Sequence, residues 1–356
     1  MEEKKEVQQR IVDSEIKKEK VSDEEFFNVL RAIAPGTNLR TAINGVLKTG
    51  KGALIVVENE ALPDLIEGGF RLNSRFTPQR LIELSKMDGA IILSKDMKRI
   101  IVANALLTPD NKISTNETGT RHKAAERTAK QSGTLVVAVS ERKNEITLYY
   151  KNIRYPVVDS GDLLRKANEH LHMLEKHREL FDKHLDRLNK LELRNYPSVS
   201  QAIQVIQKGR IIQKIVSELQ KFIIELGKDG LLLKTRLKEI IADVERETDL
   251  VIKDYTQTDM KKSRSILEEL SYEDLFSKDN ILRVLAHEKM IPHVSIKGWR
   301  ILSKTTMPES EIASLVKESG SLGKAINSNL GFYKNIFGDE KAQAIKSDIE
   351  HLKMNL

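Results

Sequence analysis

Thr118-Gly119-Thr120-Arg121-His122-Lys123-Ala124-Ala125-Glu126-Arg127 is the stretch on which the reading of this 356-residue chain turns. It enters an amphipathic helix through a Thr-Gly-Thr cap region. The first turn of a helix presents free backbone N–H groups and the positive end of the helix dipole, so it favours an anion. Acidic side chains normally stand there, whereas Arg121, His122 and Lys123 supply up to three cationic donors. Cations in that position oppose the dipole unless an external anion neutralises both. A phosphate site and a solvated basic turn are equally compatible with these residues taken alone.

Upstream, Met87-Asp88-Gly89-Ala90 falls between a helix and the buried strand Ile91-Ile92-Leu93. An Asp at a strand edge can stay ionised and exposed, and the Gly beside it allows a ligand close to the backbone. By itself the dipeptide also reads as a plain turn. A third segment, Gly45-Val46-Leu47-Lys48-Thr49-Gly50-Lys51, fits the P-loop spacing. Position 52 is Gly, however, so the Ser or Thr that holds magnesium is missing. The segment also follows a helix and opens a strand, the reverse of a P-loop, and reads as a turn.

Outward from these segments the chain changes character several times. Residues 1–20 form a charged leader, dense in Glu and Lys and unlike a secretory signal. Ser22-Asp23-Glu24-Glu25 has the capping-box pattern and opens a helix that should end at Pro35-Gly36. A second helix follows around Leu39 to Leu47. Strands are predicted at Ala53–Val57, Ala90–Leu93, Arg99–Ala103, Thr134–Val139 and Glu145–Tyr150. Thr77-Pro78 starts a helix, and Glu141-Arg142-Lys143-Asn144 suits a hairpin turn. Helices and strands mix through residue 150, implying an α/β domain around one mixed sheet over residues 21–155. From 156 to 287 the apolar residues follow 3-4 spacing, as in Leu164, Ala167, Leu171, Leu174, Phe181, Leu185 and Leu188, and predict an all-α helical spine. A second stripe runs from Val199 to Leu226, and a third helix is expected over Leu233–Ile252. Residues 288–356 read as small helices joined by tight turns, punctuated by Pro292, Gly298, Pro308, Gly320 and Gly338.

Composition narrows the class. A chain that is 40% hydrophobic and 31% charged fits soluble globular domains. No apolar run approaches the ~20 residues that span a bilayer, so no membrane partner is expected. With no cysteine there is no disulfide framework, which suits a cytoplasmic protein. The net charge of +7 favours anionic partners such as nucleotides or DNA. His170, His177 and His184 recur every seven residues, ~10.5 Å apart along a helix, too far to share one metal. Trp299 reads as core.

Asp88-Gly89-Ala90 followed about thirty residues later by Gly119-Thr120-Arg121-His122-Lys123 resembles the paired DGA and GTRHR motifs of the diadenylate cyclase family. Asn104-Ala105-Leu106-Leu107, Ala125-Glu126-Arg127 and Leu148-Tyr149-Tyr150 agree with that family as well. Two departures stand out: Lys123 replaces the usual second Arg, losing its planar fork, and Ala124 replaces a frequent hydroxyl residue. A cyclase domain, a helical spine and a small helical tail without membrane spans resemble its DNA-integrity-scanning branch, as does Gly298-Trp299-Arg300-Ile301-Leu302-Ser303-Lys304.

The resemblance implies condensation of two ATP molecules into cyclic di-AMP and two pyrophosphates across a face-to-face subunit interface. It implies Asp88 as the ligand of Mg²⁺ or Mn²⁺. Thr120, Arg121, His122 and Lys123 would cradle the triphosphate, with Gly89, Leu107, Gly119 and Ala124 lining the nucleotide pocket. Arg142 is a further candidate for the partner's nucleotide. The resemblance also implies a homo-octamer and a helix-hairpin-helix-like tail that binds DNA, branched or non-sequence-specific, and regulates activity. The matching tail stretch, Asn335-Ile336-Phe337-Gly338-Asp339-Glu340-Lys341-Ala342, keeps one of two expected glycines. From Leu285 onward ten Lys and Arg face eight Asp and Glu, so DNA affinity should be weak and salt-sensitive. The competing expectation is a nucleotide-sensing, DNA-binding assembly without efficient turnover; a P-loop ATPase dependent on Lys51 ranks behind it.

Overall fold

The computed structural model describes residues 21–288 and 294–355. The charged leader and Pro292 lie outside them. Two compact units divide the chain: residues 1–167 with 221–232, and residues 168–220 with 233–356.

The first unit begins with helices α1 (Asp23–Ile33) and α2 (Asn38–Lys48). Ser22 caps α1 by accepting from the Glu25 N–H at 3.2 Å. Glu25 itself turns to Tyr150, whose hydroxyl donates to it at 2.5 Å, and to Lys151 at 3.1 Å. Strands β1 (Ala53–Val57), β2 (Ile66–Glu67) and β3 (Phe70–Arg75) follow, then α3 (Pro78–Leu84), capped by Thr77. Strands β4 (Ala90–Leu93) and β5 (Arg99–Leu107) lead to α4 (Thr120–Ser132), and β6 (Leu135–Val139), β7 (Ile146–Tyr150) and β8 (Ile153–Val157) complete the sheet. Its order is β2-β5-β4-β1-β6-β7-β8, with β3 also paired to β5. Among the described strands only β1 and β4 run parallel, so the sheet is mixed as expected.

Alternation of side chains puts the two faces of each central strand into different cores. Ala53, Ile55, Val57, Ile91, Leu93, Val137 and Val139 pack with Leu30, Ile33, Ile43 and Val46 of α1 and α2. Leu54, Val56, Ala90, Ile92, Val136 and Ala138 pack with Ala125 and Ala129 of α4. Small residues four apart let that helix lie close on the sheet. Because both faces are covered, β1, β4 and β6 read as continuous apolar runs rather than alternating ones.

The chain continues in α5 (Ser160–Leu193) and α6 (Val199–Leu226), then a 3₁₀ turn over Gly227–Gly230. The third helix predicted over Leu233–Ile252 is two helices, α7 (Leu231–Ile240) and α8 (Val244–Tyr255). Asp243, with φ of 63°, breaks it between them. Shorter helices α9 (Met260–Glu269), α10 (Tyr272–Phe276) and α11 (Lys278–Val284) follow, then α12 (Trp299–Leu302), α13 (Glu309–Ser319), α14 (Leu322–Asn327), α15 (Leu330–Phe337) and α16 (Asp339–Asn355).

The Gly298-Trp299-Arg300 segment docks into this helical unit. Asp254 accepts from all three backbone N–H groups, at 3.0, 2.9 and 2.9 Å. Arg300, fully buried, reaches Glu192 and Asn189 at 2.5 Å each. Burial drives the Glu192 carboxyl above its ordinary value despite Arg300. Trp299 stacks under the Lys253 ammonium, 3.4 Å from the ring centre.

Candidate active site

The parallel pair β1 and β4 begins at the same edge of the sheet where the antiparallel β5 and β6 end, since Leu54 pairs with Ala90 and Ala90 with Ala105. The α4 N-terminus stands over that edge. Between them is a cleft of about 680 Å³ bounded by Leu54, Gly89, Ala90, Ala105–Leu107, Gly119–His122, Ala124 and Ser140–Arg142.

Gly89 has φ of +92°, a left-handed conformation open to glycine. A Cβ there would lie 2.8 Å from the Ala105 carbonyl oxygen and 2.8 Å from the Asn104 carbonyl carbon. Glycine therefore brings the loop before β4 directly onto β5. Asn104 is itself left-handed at φ 55°, where the β4–β5 register shifts. Such a bulge re-aims the end of a strand, here Ala105, Leu106 and Leu107, beside the cleft.

At the start of α4, Gly119 makes no side-chain capping bond and the first turn holds no acid. Arg121 and Lys123 have neither hydrogen-bond nor ion-pair partners for their side chains among the described residues. A helix start of this kind leaves its N–H groups and its cations to an external anion. Gly52, the residue after the false P-loop motif, has a structural reason: a Cβ there would overlap Arg121 Nη1 and lie 2.9 Å from the Val139 carbonyl oxygen. The motif is otherwise the expected turn between α2 and β1, with Gly50 at φ +66°.

His122 is held differently from its neighbours. Its Nδ1 is 2.9 Å from the Tyr149 hydroxyl, which donates to Glu117 Oε1 at 2.8 Å. Arg154 Nε donates to the same oxygen at 2.5 Å. Tyr149 and Arg154 are cross-strand partners on β7 and β8. Burial opposes ionisation of Glu117, but hydrogen bonds from Arg154 and Tyr149 hold its carboxyl below the ordinary value. Burial lowers the His122 pKa; Glu117 opposes this, and Arg121 adds to it.

The loop that carries Glu117 is tied to the back of α4. Arg127 Nε donates to the Ile113 carbonyl at 3.0 Å, Lys130 Nζ to that of Ser114 at 2.8 Å, and Thr115 hydrogen-bonds Glu126.

Of the residues predicted from sequence, Gly89, Leu107, Gly119, Thr120, Arg121, His122, Ala124 and Arg142 bound the cleft. Asp88 is exposed immediately before Gly89 and has no partner among the described residues. Lys123 is half-buried on the same turn of α4 and does not bound the cleft. Leu54, Ala105, Ser140 and Glu141 were not anticipated, nor were Glu117 and Arg154 behind the cleft. A second cleft of about 820 Å³ lies in the helical unit, beside Tyr196, Val294 and Lys324. Its carboxylate, Glu192, is committed to Arg300 and Tyr255.

A nucleotide-binding enzyme is what this sheet edge and helix start describe, and comparison with known proteins agrees. Residues 40–153 match the family described as DisA bacterial checkpoint controller nucleotide-binding, and residues 157–293 match the DisA bacterial checkpoint controller linker region. The DNA integrity scanning protein DisA of Clostridium botulinum is 36% identical over 341 residues, 93% of this chain and 96% of that protein. That of Clostridium kluyveri is 37% identical over the same shares. The crystal structure of DacA from Staphylococcus aureus is similar over 34% of this chain and 85% of that one, at 30% identity and a TM-score of 0.28. The chain belongs to the DisA family and is a diadenylate cyclase, a nucleotidyltransferase.

Proposed function

We propose that two copies of this chain meet cleft to cleft, each holding one ATP, and condense the pair into cyclic di-AMP. In each half-reaction a ribose 3′-oxygen forms a bond to the other nucleotide's α-phosphorus. The bond from that phosphorus to the β-phosphate bridging oxygen breaks, pyrophosphate leaves, and the hydroxyl proton is released. The observation that carries this reading is the acid-free α4 start, with Arg121 unpartnered among the described residues, at a cleft bounded by Gly89. Arg121, the Thr120 hydroxyl and the first-turn N–H groups neutralise the triphosphate and the departing pyrophosphate. Lys123 contributes charge from one turn position further on.

An exposed, unpaired carboxylate suits a hard cation with oxygen ligands, and one carboxylate plus substrate phosphates is the usual magnesium arrangement. Asp88 would therefore hold Mg²⁺ or Mn²⁺ together with the nucleotide. Bound there, the ion supplies charge neutralisation at the α-phosphate. Exposed Met87 before Gly89 and Leu106 at the cleft, with Phe70 and Leu72 on the β3 strand paired to β5, give an apolar surface that suits a second copy. Assembly to an octamer, a cytoplasmic location and the functional division at 21–155, 156–287 and 288–356 belong to the same proposal. No helix of the described residues is long and apolar enough to cross a membrane.

DNA regulation through the C-terminal helices is the second half of the proposal. Gly338, at φ +82°, is the single residue between α15 and α16. Lys334 is paired with Asp339 at 2.8 Å and Lys341 with Glu311 at 2.7 Å, so two of the nearby cations are already neutralised. Phosphate contacts by a single tail are accordingly few, and several tails acting together would supply the affinity.

The test is anion-exchange chromatography of a reaction containing the full chain, ATP and Mn²⁺, with Asp88→Asn in parallel. Cyclic di-AMP from the wild type and almost none from the variant is the expected result. ATP retained but unconsumed by both would replace the cyclase with a nucleotide sensor, and ADP would restore the P-loop reading.

A further inference from the structure

We infer that Tyr149 and Glu117 are positioning residues that hold His122 as its Nδ1–H tautomer, leaving Nε2 to accept a hydrogen bond from a hydroxyl or amino group of the bound nucleotide. The inference rests on the cyclase reading of the cleft and deepens it.

A phenol has one proton. Tyr149 gives that proton to Glu117 Oε1 at 2.8 Å, and the carboxylate can only accept. The contact of 2.9 Å between the Tyr149 hydroxyl and His122 Nδ1 then requires the imidazole to be the donor. Arg154, donating to the same Oε1 at 2.5 Å, keeps Glu117 an anion and so fixes the direction of the chain. Tyr149 is 1% exposed on β7 and cannot turn away to water.

With Nδ1 committed, Nε2 is the ring nitrogen that remains. It has no partner among the described residues, and His122 bounds the cleft. The groups that set its charge are Glu117, which favours the cation, and Arg121, Arg154 and Lys143, which oppose it alongside burial. Burial and the three cations prevail, so the neutral ring, with its lone pair on Nε2, is favoured. The Arg-His-Lys run is therefore not three equivalent donors for phosphate. Arg121 offers N–H groups, whereas His122 offers an acceptor. Ionised phosphate oxygens have no proton to give it, but the ribose hydroxyls and the adenine amine do.

Solid-state ¹⁵N spectra of the full chain labelled at histidine, compared with His122→Gln to assign the ring, read the tautomer without reference to turnover. The expected result is Nδ1–H for His122 in the wild type and loss of that preference in Tyr149→Phe. An Nε2–H ring in the wild type overturns the inference, whether or not the protein makes cyclic di-AMP. Turnover gives the second readout. Tyr149→Phe and Glu117→Gln should each lower kcat by roughly ten- to a hundredfold, taking the scale seen for hydrogen-bond partners that orient metal-bound imidazoles. The acid limb of the pH profile should move with them. Unchanged kcat and an unchanged profile in both variants would sink the idea. Binding of ATP, inosine triphosphate and the 2′- and 3′-deoxy analogues locates the donor: the analogue lacking it is the one whose affinity ceases to respond to Tyr149→Phe. If all four respond equally, Nε2 accepts from none of these groups and the acceptor role is refuted.

Discussion

Replacing Gly52 by Ala adds one methyl group to a buried position whose φ is open to any residue, so backbone strain does not confuse the outcome. That methyl group overlaps Arg121 Nη1 and sits 2.9 Å from the Val139 carbonyl oxygen. The carbonyl belongs to β6 and yields little, so the guanidinium is the group that moves. A hydrogen bond to a charged group contributes about 1.5–3 kcal/mol. At about 1.4 kcal/mol per factor of ten, displacing the Arg121–phosphate contact should weaken ATP binding roughly 10- to 150-fold. Calorimetric titration with ATP would measure it, with exposed Lys51→Ala as the comparison. In an Arg121→Ala background the Gly52 substitution should cost almost nothing further, because both act through one contact. Binding by Gly52→Ala within twofold of wild type, together with a large loss in Lys51→Ala, would refute the steric account and return the segment to phosphate binding.

Arg300→Met leaves the Glu192 carboxylate buried without its cation and should cost about 3–5 kcal/mol in chemical denaturation. Adding Glu192→Gln should recover part of the loss, and a single variant as stable as wild type would contradict the buried network. Asp339→Asn releases Lys334 for phosphate, so the plot of log binding constant against log salt should steepen by about 0.9 for each new contact. An unchanged slope would mean that the hairpin does not touch DNA. Glu117 titrates below its ordinary value in the folded protein, so its contribution to stability is complete above about pH 4.5 and fades as pH falls through the folded value. Thermal melts across that acid range should therefore decline less steeply for Glu117→Gln than for wild type.

The parts of the fold legible in the sequence are those where one element's own periodicity reports its burial. β1, β4 and β6 are covered on both faces and appear as apolar runs, and Ser22 and Thr77 mark helix starts by capping. β3, Phe-Arg-Leu-Asn-Ser-Arg, is almost wholly exposed at the sheet's edge and has no such signature. β8 carries Pro156 near its end, which argues against a strand except at an edge, and an edge is where it lies. The break at Asp243 was hidden because the apolar spacing on either side continues across it.

The candidate site divides along the same line, and the division bears on how its motifs should be understood. Residues acting through the backbone or through free charge, Gly89 and Arg121, are adjacent to recognisable local signals and could be found by them. Those that act through another side chain could not: Glu117 reaches Tyr149 across 32 positions, and Tyr149 reaches His122 across 27. Nothing in a Glu within a polar loop, or a Tyr in a buried strand, announces such a connection. His122 consequently looked like one more cation between Arg121 and Lys123, whereas its Nδ1 is already engaged by the Tyr149 hydroxyl. Gly52 illustrates the converse: the spacing around it fits a P-loop that the missing Ser or Thr and the helix-to-strand order argue against, and its geometry shows it accommodating Arg121. In both cases the roles proposed for the residues depend on which groups each atom has already satisfied, which the motif alone does not report.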